Sequence, residues 1–101
     1  MILSHDIEKK INENYADIPR ILNLLKKTNV PEVVKERVIR CILYLSERDY
    51  DSLETWINKV NTDRRDVYYF AEYDNRNGGK WNFSLTYDKQ YEYQFRVRYL
   101  V

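Results

Sequence analysis

The sequence predicts an α+β fold, in which three to four N-terminal helices pack on a C-terminal antiparallel β-hairpin or small three-stranded sheet. Two patterns predict this class. Apolar residues recur every three or four positions up to about residue 61, as they do along one face of a helix. Apolar and polar residues then alternate through residues 80–101, as they do on the two faces of a strand. The 101 residues suit a single domain, with a helical part at about 4–73 and the hairpin at about 80–101.

A proline separates the first two predicted helices. Pro19 is tolerated in the first turn of a helix but is costly in its interior, because it lacks the backbone N–H and its ring clashes with the preceding turn. Asp17 is therefore expected to cap a second helix that runs to about Lys27, and a single helix kinked near Ala16 is the alternative. The apolar positions of this stretch are Ile7, Ile11, Tyr15, Ile18, Leu22 and Leu25.

Capping residues and apolar stripes indicate two further helices. In the helix that opens near Pro31, Glu36 and Arg40 are expected on the solvent side, in the order that favours an ion pair between residues four apart. Asp51 is expected to cap the next helix, with Glu54 at its third position. The apolar stripes of the two helices are Val34, Val38, Cys41, Ile42 and Leu45, and Leu53, Trp56, Ile57 and Val60.

Residues 66–73 are compatible with a strand or a helix. Their aromatic and β-branched side chains favour a strand, which would add a third strand to the hairpin. Read as a helix, the stretch is capped by Asp63 and places Val67, Phe70 and Ala71 on one face. We favour the helix, because an edge strand that is apolar on both faces invites aggregation. The strand remains the alternative.

The predicted hairpin carries its large apolar side chains at odd-numbered positions. Residues opposite each other in an antiparallel pair project to the same face, so the loop between the strands must contain an odd number of residues. This register pairs Tyr87 with Tyr91 on the apolar face and Lys80 with Arg98 on the polar face. The odd positions are Trp81, Phe83, Leu85, Tyr87, Tyr91, Tyr93, Phe95, Val97, Tyr99 and Val101.

The hairpin also supplies the candidate partner-binding residues. A buried tyrosine hydroxyl needs a hydrogen-bond partner, so Tyr87 and its neighbours suit a half-exposed rim, and Tyr and Arg are enriched in interface hot spots. Basic side chains cluster at one end of the polar face in this register. The candidate residues are Tyr91, Tyr93, Tyr99, Lys80, Arg96 and Arg98. The nearby tyrosines, some of which are expected to stay accessible, are Tyr68, Tyr69 and Tyr73.

Recognisable nucleophile and metal-binding motifs are absent from the sequence. A carboxylate pair, such as Glu72 with Asp74 or Glu92, could still act as acid and base, but the sequence does not place the two groups together. His5 is the one histidine and Cys41 the one cysteine, too few for a zinc site, and Cys41 falls on an apolar helix stripe where a cysteine packs as a small hydrophobe. The acidic residues lack the loop spacing of a calcium site, and the glycines lack the pattern of a phosphate-binding loop. We therefore expect a protein that is not an enzyme and holds no cofactor or metal.

The charge balance and the ends of the chain bear on partners and location. The 17 basic and 16 acidic residues nearly cancel and form no block, so the footprint of a dedicated duplex-DNA binder is missing. A single cysteine allows no internal disulfide. Neither a signal peptide nor an apolar run long enough to span a membrane is recognisable. We expect a cytoplasmic protein that does not enter membranes.

These observations favour a non-catalytic protein–protein interaction module, and a small inhibitor of the kind that neutralises a toxin fits the same profile. The alternative is a single-stranded nucleic-acid-binding domain, in which the aromatic side chains stack on bases and the arginines contact phosphates. Self-association through the exposed edge of the hairpin is a third class. The sequence does not identify the partner.

Overall fold

The computed structural model describes residues 3–74 and 81–89. Within these ranges the fold consists of four α-helices and one short 3-10 helix. The elements are α1 (His5–Asn14), α2 (Ile18–Leu25), a 3-10 turn (Glu32–Val34), α3 (Lys35–Ser46) and α4 (Tyr50–Glu72). The part of the chain that the structure describes is therefore all-α.

The predicted α+β class is wrong. The described residues contain no strand, and residues 81–86, expected to form the first strand of the hairpin, follow turns and bends, while residues 87–89 have helical backbone. The proposed pairing of Tyr87 with Tyr91 therefore has no strand on its first side. The physical reason is that Phe83 and Tyr87 enter the helical core, and helix side chains bind the backbone at these two residues. Residues 91–101, predicted as the second strand, lie outside the described residues.

The predicted break between the first two helices is confirmed. The Asp17 carboxylate accepts a hydrogen bond from the backbone N–H of Arg20 at 3.2 Å, and Pro19 occupies the first turn of α2. Tyr15, which follows α1, has extended backbone. The chain therefore forms two separate helices rather than one kinked helix, with Ile7, Ile11, Ile21 and Leu25 buried between them and the rest of the fold.

The connection from α3 to α4 differs from its prediction. Glu47 and Arg48 both have positive φ angles, of 49° and 75°, a left-handed conformation that costs a non-glycine residue about 1 kcal/mol. Asp49, rather than the predicted Asp51, caps α4: its carboxylate accepts a hydrogen bond from the N–H of Asp51 at 3.0 Å. The cap lies two residues earlier because the left-handed pair ends α3 and turns the chain directly into α4.

Helix α4 is interrupted at Asp63, and this interruption confirms the helical interpretation of the stretch that follows. Asp63 has φ −155° and ψ 101°, and its carboxylate accepts a hydrogen bond from the N–H of Arg65 at 3.0 Å. It thus caps the second half of α4, as predicted for a helix. Val67 and Ala71 are buried on the inner face, but Phe70, expected beside them, is largely exposed.

Helix α3 is the central element of the fold. It packs along α4 and also contacts α1, while α2 contacts α4. A buried hydrogen bond links the residue after α1 to the last residue of α3, with Tyr15 Oη and Ser46 Oγ 2.7 Å apart. Burying one large apolar side chain stabilises a fold by about 1.5–3 kcal/mol. The largest fully buried side chains are Phe83, Ile7, Ile11, Ile21, Leu25, Ile39, Ile42, Leu43, Leu53, Ile57 and Val38.

Candidate functional site

The residues predicted to bind a partner all lie outside the part of the chain that the structure describes. They are Tyr91, Tyr93, Tyr99, Lys80, Arg96 and Arg98. Their grouping on one hairpin face stays a prediction without a test, although the first strand on which that grouping depends is absent from residues 81–89. The described residues hold two other features that bear on function, a buried ionic network and an exposed group of aromatic rings.

The ionic network begins at Arg40, which was expected on the solvent side of α3 and is instead 3% exposed. Its Nε donates to Asp6 Oδ2 at 2.8 Å and its Nη2 to Asp6 Oδ1 at 3.2 Å, so the two groups form a bidentate pair. The same Nη2 also lies 3.2 Å from Ser4 Oγ and from Glu36 Oε2. The pair joins α1 to α3 inside the protein, where a guanidinium without a partner would be strongly unfavourable.

The charge on Asp6 is held by these hydrogen bonds. Burial alone would raise the pKa of Asp6, but the hydrogen bonds from Arg40, the Ser4 hydroxyl and the Tyr87 N–H outweigh burial and lower the pKa from 3.8 to about 2. Arg40 remains charged for the corresponding reason: burial opposes its charge, and the hydrogen bonds and attraction to Asp6 raise its pKa above the ordinary value. The pair is therefore ionised at neutral pH.

A second ion pair lies one turn away along α3. Arg37 donates through Nε and Nη2 to the two carboxylate oxygens of Glu72, at 3.1 and 2.5 Å. Its guanidinium also lies over the ring of Tyr68, 3.9 Å from the ring centroid. The hydrogen bonds to Glu72 raise the pKa of Arg37. This pair joins α3 to the end of α4.

The two ion pairs together bind residues 81–89, which we call the docked segment. The N–H of Phe83 donates to Glu72 Oε2 at 3.1 Å, its carbonyl accepts from Arg40 Nη1 at 3.2 Å, and the N–H of Tyr87 donates to Asp6 Oδ2 at 3.0 Å. The Tyr87 hydroxyl donates to the carbonyl of Arg40 at 3.0 Å. Tyr87, expected on a half-exposed rim, is therefore buried, because the core offers its hydroxyl an acceptor.

Aromatic packing completes the attachment of the docked segment. The rings of Trp81 and Phe83 stack with their centroids 5.7 Å apart and their planes 5° from parallel. Tyr44 contacts both rings, at 5.7 and 5.3 Å between centroids. The network thus acts structurally: its charged groups are satisfied within the fold, and they fix a segment that has no strand of its own.

The sequence contains one signal that would have located this network. Arg40 lies within the apolar run Val38-Ile39-Arg40-Cys41-Ile42-Leu43, and a helix that is apolar around most of its circumference is typically buried together with the charge it carries. Its partners could not be read from the sequence, because Asp6 and Phe83 are 34 and 43 residues away along the chain.

Nucleophile and metal chemistry find no support among the described residues. Burial raises the pKa of the Cys41 thiol well above its ordinary range, so the thiolate form is disfavoured. No group of three or more His, Cys, Asp or Glu side chains that could hold a metal ion occurs in residues 3–74 and 81–89.

A surface cavity of about 580 Å³ opens between the start of α3 and the docked segment. Basic and acidic side chains both line it, and its basic groups already bind carboxylates of the protein. Arg40 and Arg37 pair with Asp6 and Glu72, as described above, and Lys35 Nζ lies 3.9 Å from a Glu32 carboxylate oxygen. The cavity therefore presents little uncompensated charge to an anion.

The outer face of the second half of α4 carries a row of exposed aromatic rings. Tyr69 is 65% exposed, Phe70 47% and Tyr73 53%, and Trp56 from the first half of α4 is half-buried beside them. The centroid distances are 5.6 Å from Trp56 to Phe70, 5.8 Å from Phe70 to Tyr69 and 5.9 Å from Tyr69 to Tyr73. We call these four residues the aromatic row. The expectation that some of the nearby tyrosines stay accessible is confirmed for Tyr69 and Tyr73.

The charged groups beside the aromatic row are paired with each other. Lys59 Nζ lies 3.8 Å from Asp66 Oδ2, and Arg65 Nε lies 3.4 Å from Asp63 Oδ1. Exposed pairs of this kind contribute about 0–1 kcal/mol to stability, but they leave the surface beside the rings close to neutral. Among the described residues, the charges beside the aromatic row therefore largely compensate one another, with exposed Arg64 as the exception.

Comparison with known proteins gives no assignment: no family model, curated protein or solved structure matches this chain. None of the described helices combines the length and the apolar character needed to cross a lipid bilayer.

Proposed function

We propose that the chain is a non-catalytic protein-binding module that contacts its partner through the aromatic row of Trp56, Tyr69, Phe70 and Tyr73. The observation that carries this proposal is the exposure of three large rings that contact one another on one helix face. Water-exposed aromatic side chains that form a continuous patch mark interaction sites more often than isolated ones do.

The attachment of this surface to the fold supports the proposal. The inner face of the same half of α4 is fixed by buried Val67 and Ala71 and by the Glu72–Arg37 pair. The rings are therefore presented from a rigid helix, so little conformational entropy is lost when a partner binds. Tyr and Trp are also the residue types enriched in binding hot spots.

Capture of partners from the native host, with quantitative mass spectrometry, tests the proposal. Tyr69→Ala is expected to deplete the specific partner at least about fivefold, since a hot-spot truncation costs more than about 1 kcal/mol. Val33→Ala is the matched control, because Val33 is 90% exposed but belongs to the 3-10 turn before α3 rather than to α4. A partner that Tyr69→Ala retains as well as the native chain does would contradict the proposal.

Binding of single-stranded nucleic acid is the second candidate function. Exposed rings can stack on bases, and Arg64 and Arg65 are exposed about one helical turn before Tyr68 and Tyr69. The net charge of +1 weighs against it, because phosphate binding relies on basic surface. Fluorescence titration with a single-stranded oligonucleotide at low and moderate salt separates the two functions. Binding that weakens steeply with salt supports the nucleic-acid function, and no binding at low salt removes it.

Two narrower proposals accompany the protein-binding function. A cytoplasmic location is supported by the lone cysteine, Cys41, which is buried as a free thiol. A toxin-neutralising inhibitor would act by occlusion, with the aromatic row as one part of a larger surface that covers the site of another protein. The finding of a nuclease or secreted toxin encoded by an adjacent gene would support that role.

A further inference from the structure

We infer that the occupant of the aromatic row is a short, uncharged, proline-rich segment of a partner protein in the polyproline II conformation. This inference rests on the proposed protein-binding function and specifies the chemistry of the partner. Three properties of the row support it: its area, its charge and its hydrogen-bond donors.

The exposed area of the row fits a short peptide better than a second folded domain. An aromatic side chain offers about 200 Å² of surface, so the exposed fractions of Tyr69, Phe70 and Tyr73 amount to about 300 Å². A stable interface between folded proteins, including a dimer of this chain, needs about 800 Å² from each partner. The row alone is too small for that interface, but it suffices for a peptide of a few residues.

The charge of the surrounding surface favours an uncharged occupant. The ion pairs Lys59–Asp66 and Arg65–Asp63 compensate the charges that flank the rings. Within the described residues, an acidic peptide or a nucleic-acid strand would have to compete with these internal partners for Lys59 and Arg65. An uncharged segment gains the apolar contact without that competition.

Two hydrogen-bond donors of the row match a peptide that offers carbonyl groups. The Trp56 indole N–H and the Tyr69 hydroxyl make no hydrogen bond within the described part of the chain, and an indole nitrogen can only donate. A polyproline II helix has no internal hydrogen bonds, so its carbonyls are free to accept, and proline has no N–H that would need an acceptor.

The spacing of the rings also suits this conformation. A polyproline II helix rises about 3.1 Å per residue with three residues per turn, so on a flat surface it makes contacts at intervals of about 3 and 6 Å. Successive rings of the row lie 5.6–5.9 Å apart. Pyrrolidine rings can therefore lie against successive aromatic rings of the row, as proline-rich segments do in known aromatic-lined grooves.

Titration of the full-length, ¹⁵N-labelled chain with decaproline tests the inference, because decaproline is uncharged and already adopts polyproline II. The two tryptophan indole signals provide the readout: Trp56 lies in the row, whereas Trp81 stacks on Phe83 in the docked segment and serves as an internal control. We expect saturable shifts of the Trp56 signal alone. Tyr69→Ala should weaken the binding at least about fivefold, and Val33→Ala should leave it unchanged.

The controls distinguish failure of this inference from failure of the proposed function. If a flexible Gly-Ser decapeptide shifts the Trp56 signal as decaproline does, or if only an uncharged amphipathic helical peptide shifts it, the polyproline II assignment is wrong and the protein-binding function stands. Shifts that arise on concentrating the chain alone identify a second copy as occupant. Shifts produced only by an oligonucleotide overturn both proposals. The absence of any response overturns this inference, and the capture experiment with Tyr69→Ala then decides the protein-binding function.

Discussion

Replacing Asp6 by asparagine tests the buried network more sharply than any other single change. The substitution keeps the shape of the side chain and removes the charge that compensates Arg40, which is 3% exposed. We expect the variant to unfold more easily at neutral pH, and we expect the difference from the native chain to diminish in acid.

The magnitude follows from the pKa of Asp6. In the fold the pKa is lowered from 3.8 to about 2, and each unit corresponds to about 1.4 kcal/mol, so the ionised carboxylate contributes roughly 2 kcal/mol. Because the folded pKa is depressed, this contribution is complete above about pH 4 and is lost as the pH falls through 2. Uncompensated burial of Arg40 adds to the loss, since breaking a buried pair costs about 3–5 kcal/mol.

Urea unfolding of both chains, followed by circular dichroism between pH 7 and pH 2, measures the effect. Glu8→Gln is the matched control: Glu8 is also an acid in the first turn of α1, but it is exposed and joins no ion pair within the described residues. The control should change stability by less than about 0.5 kcal/mol. If Asp6→Asn costs no more than this control, or costs as much at pH 2 as at pH 7, the assigned role of the carboxylate is wrong.

Three further predictions concern the docked segment, the buried thiol and the break in α4. Phe83→Ala should destabilise the fold by about 3–5 kcal/mol in urea, whereas Ser84→Ala next to it should have almost no effect; equal effects would mean that the docked segment does not contribute to the core. Cys41 should react with a thiol reagent only as fast as the protein opens, so rapid labelling of the folded chain would contradict its burial. Asp63→Ala should lower the stability by about 1 kcal/mol, seen as a reduced thermal midpoint, because it removes the cap of the second half of α4.

The helices could be predicted because their signals are local. The Asp17 cap and Pro19 separate α1 from α2, and Asp63 caps the second half of α4, each through atoms within three residues. The cap of α4 was predicted at Asp51, two residues after its actual position at Asp49. The position depends on the left-handed conformation of Glu47 and Arg48, and neither is a residue type that indicates such a turn.

The hairpin was predicted wrongly because alternation of apolar and polar residues does not determine the backbone conformation of a short segment that is bound by the rest of the fold. Phe83 and Tyr87 obey the alternation, but they are also four residues apart and both reach the core. The groups that bind their backbone, Asp6, Arg40 and Glu72, come from three different helices. The sequence around residues 81–89 does not indicate that these three side chains bind the segment.

The position of Phe70 in the aromatic row was also predicted wrongly, because it depends on a contact that is distant in the sequence. A helix over residues 66–73 was favoured, but Phe70 was assigned to its inner face with Val67 and Ala71. The inner face is instead shared by Val67, Ala71 and Glu72, because half-buried Arg37 binds the buried Glu72 carboxylate, and Phe70, two positions before Glu72, then lies on the other side of the helix. The exposure of Phe70 thus follows from an ion pair that the sequence pattern did not reveal.

We therefore propose that stability and recognition depend on opposite faces of the second half of α4. Glu72 on the inner face binds Arg37 and the backbone of Phe83, so changes there release the docked segment and weaken the fold. The ring of Tyr69 on the outer face contacts the exposed rings of Phe70 and Tyr73, so its truncation should leave the free energy of unfolding within about 0.5 kcal/mol of the native value. A loss of binding in Tyr69→Ala at unchanged stability can then be attributed to the surface itself, because the network that holds the fold together does not pass through it.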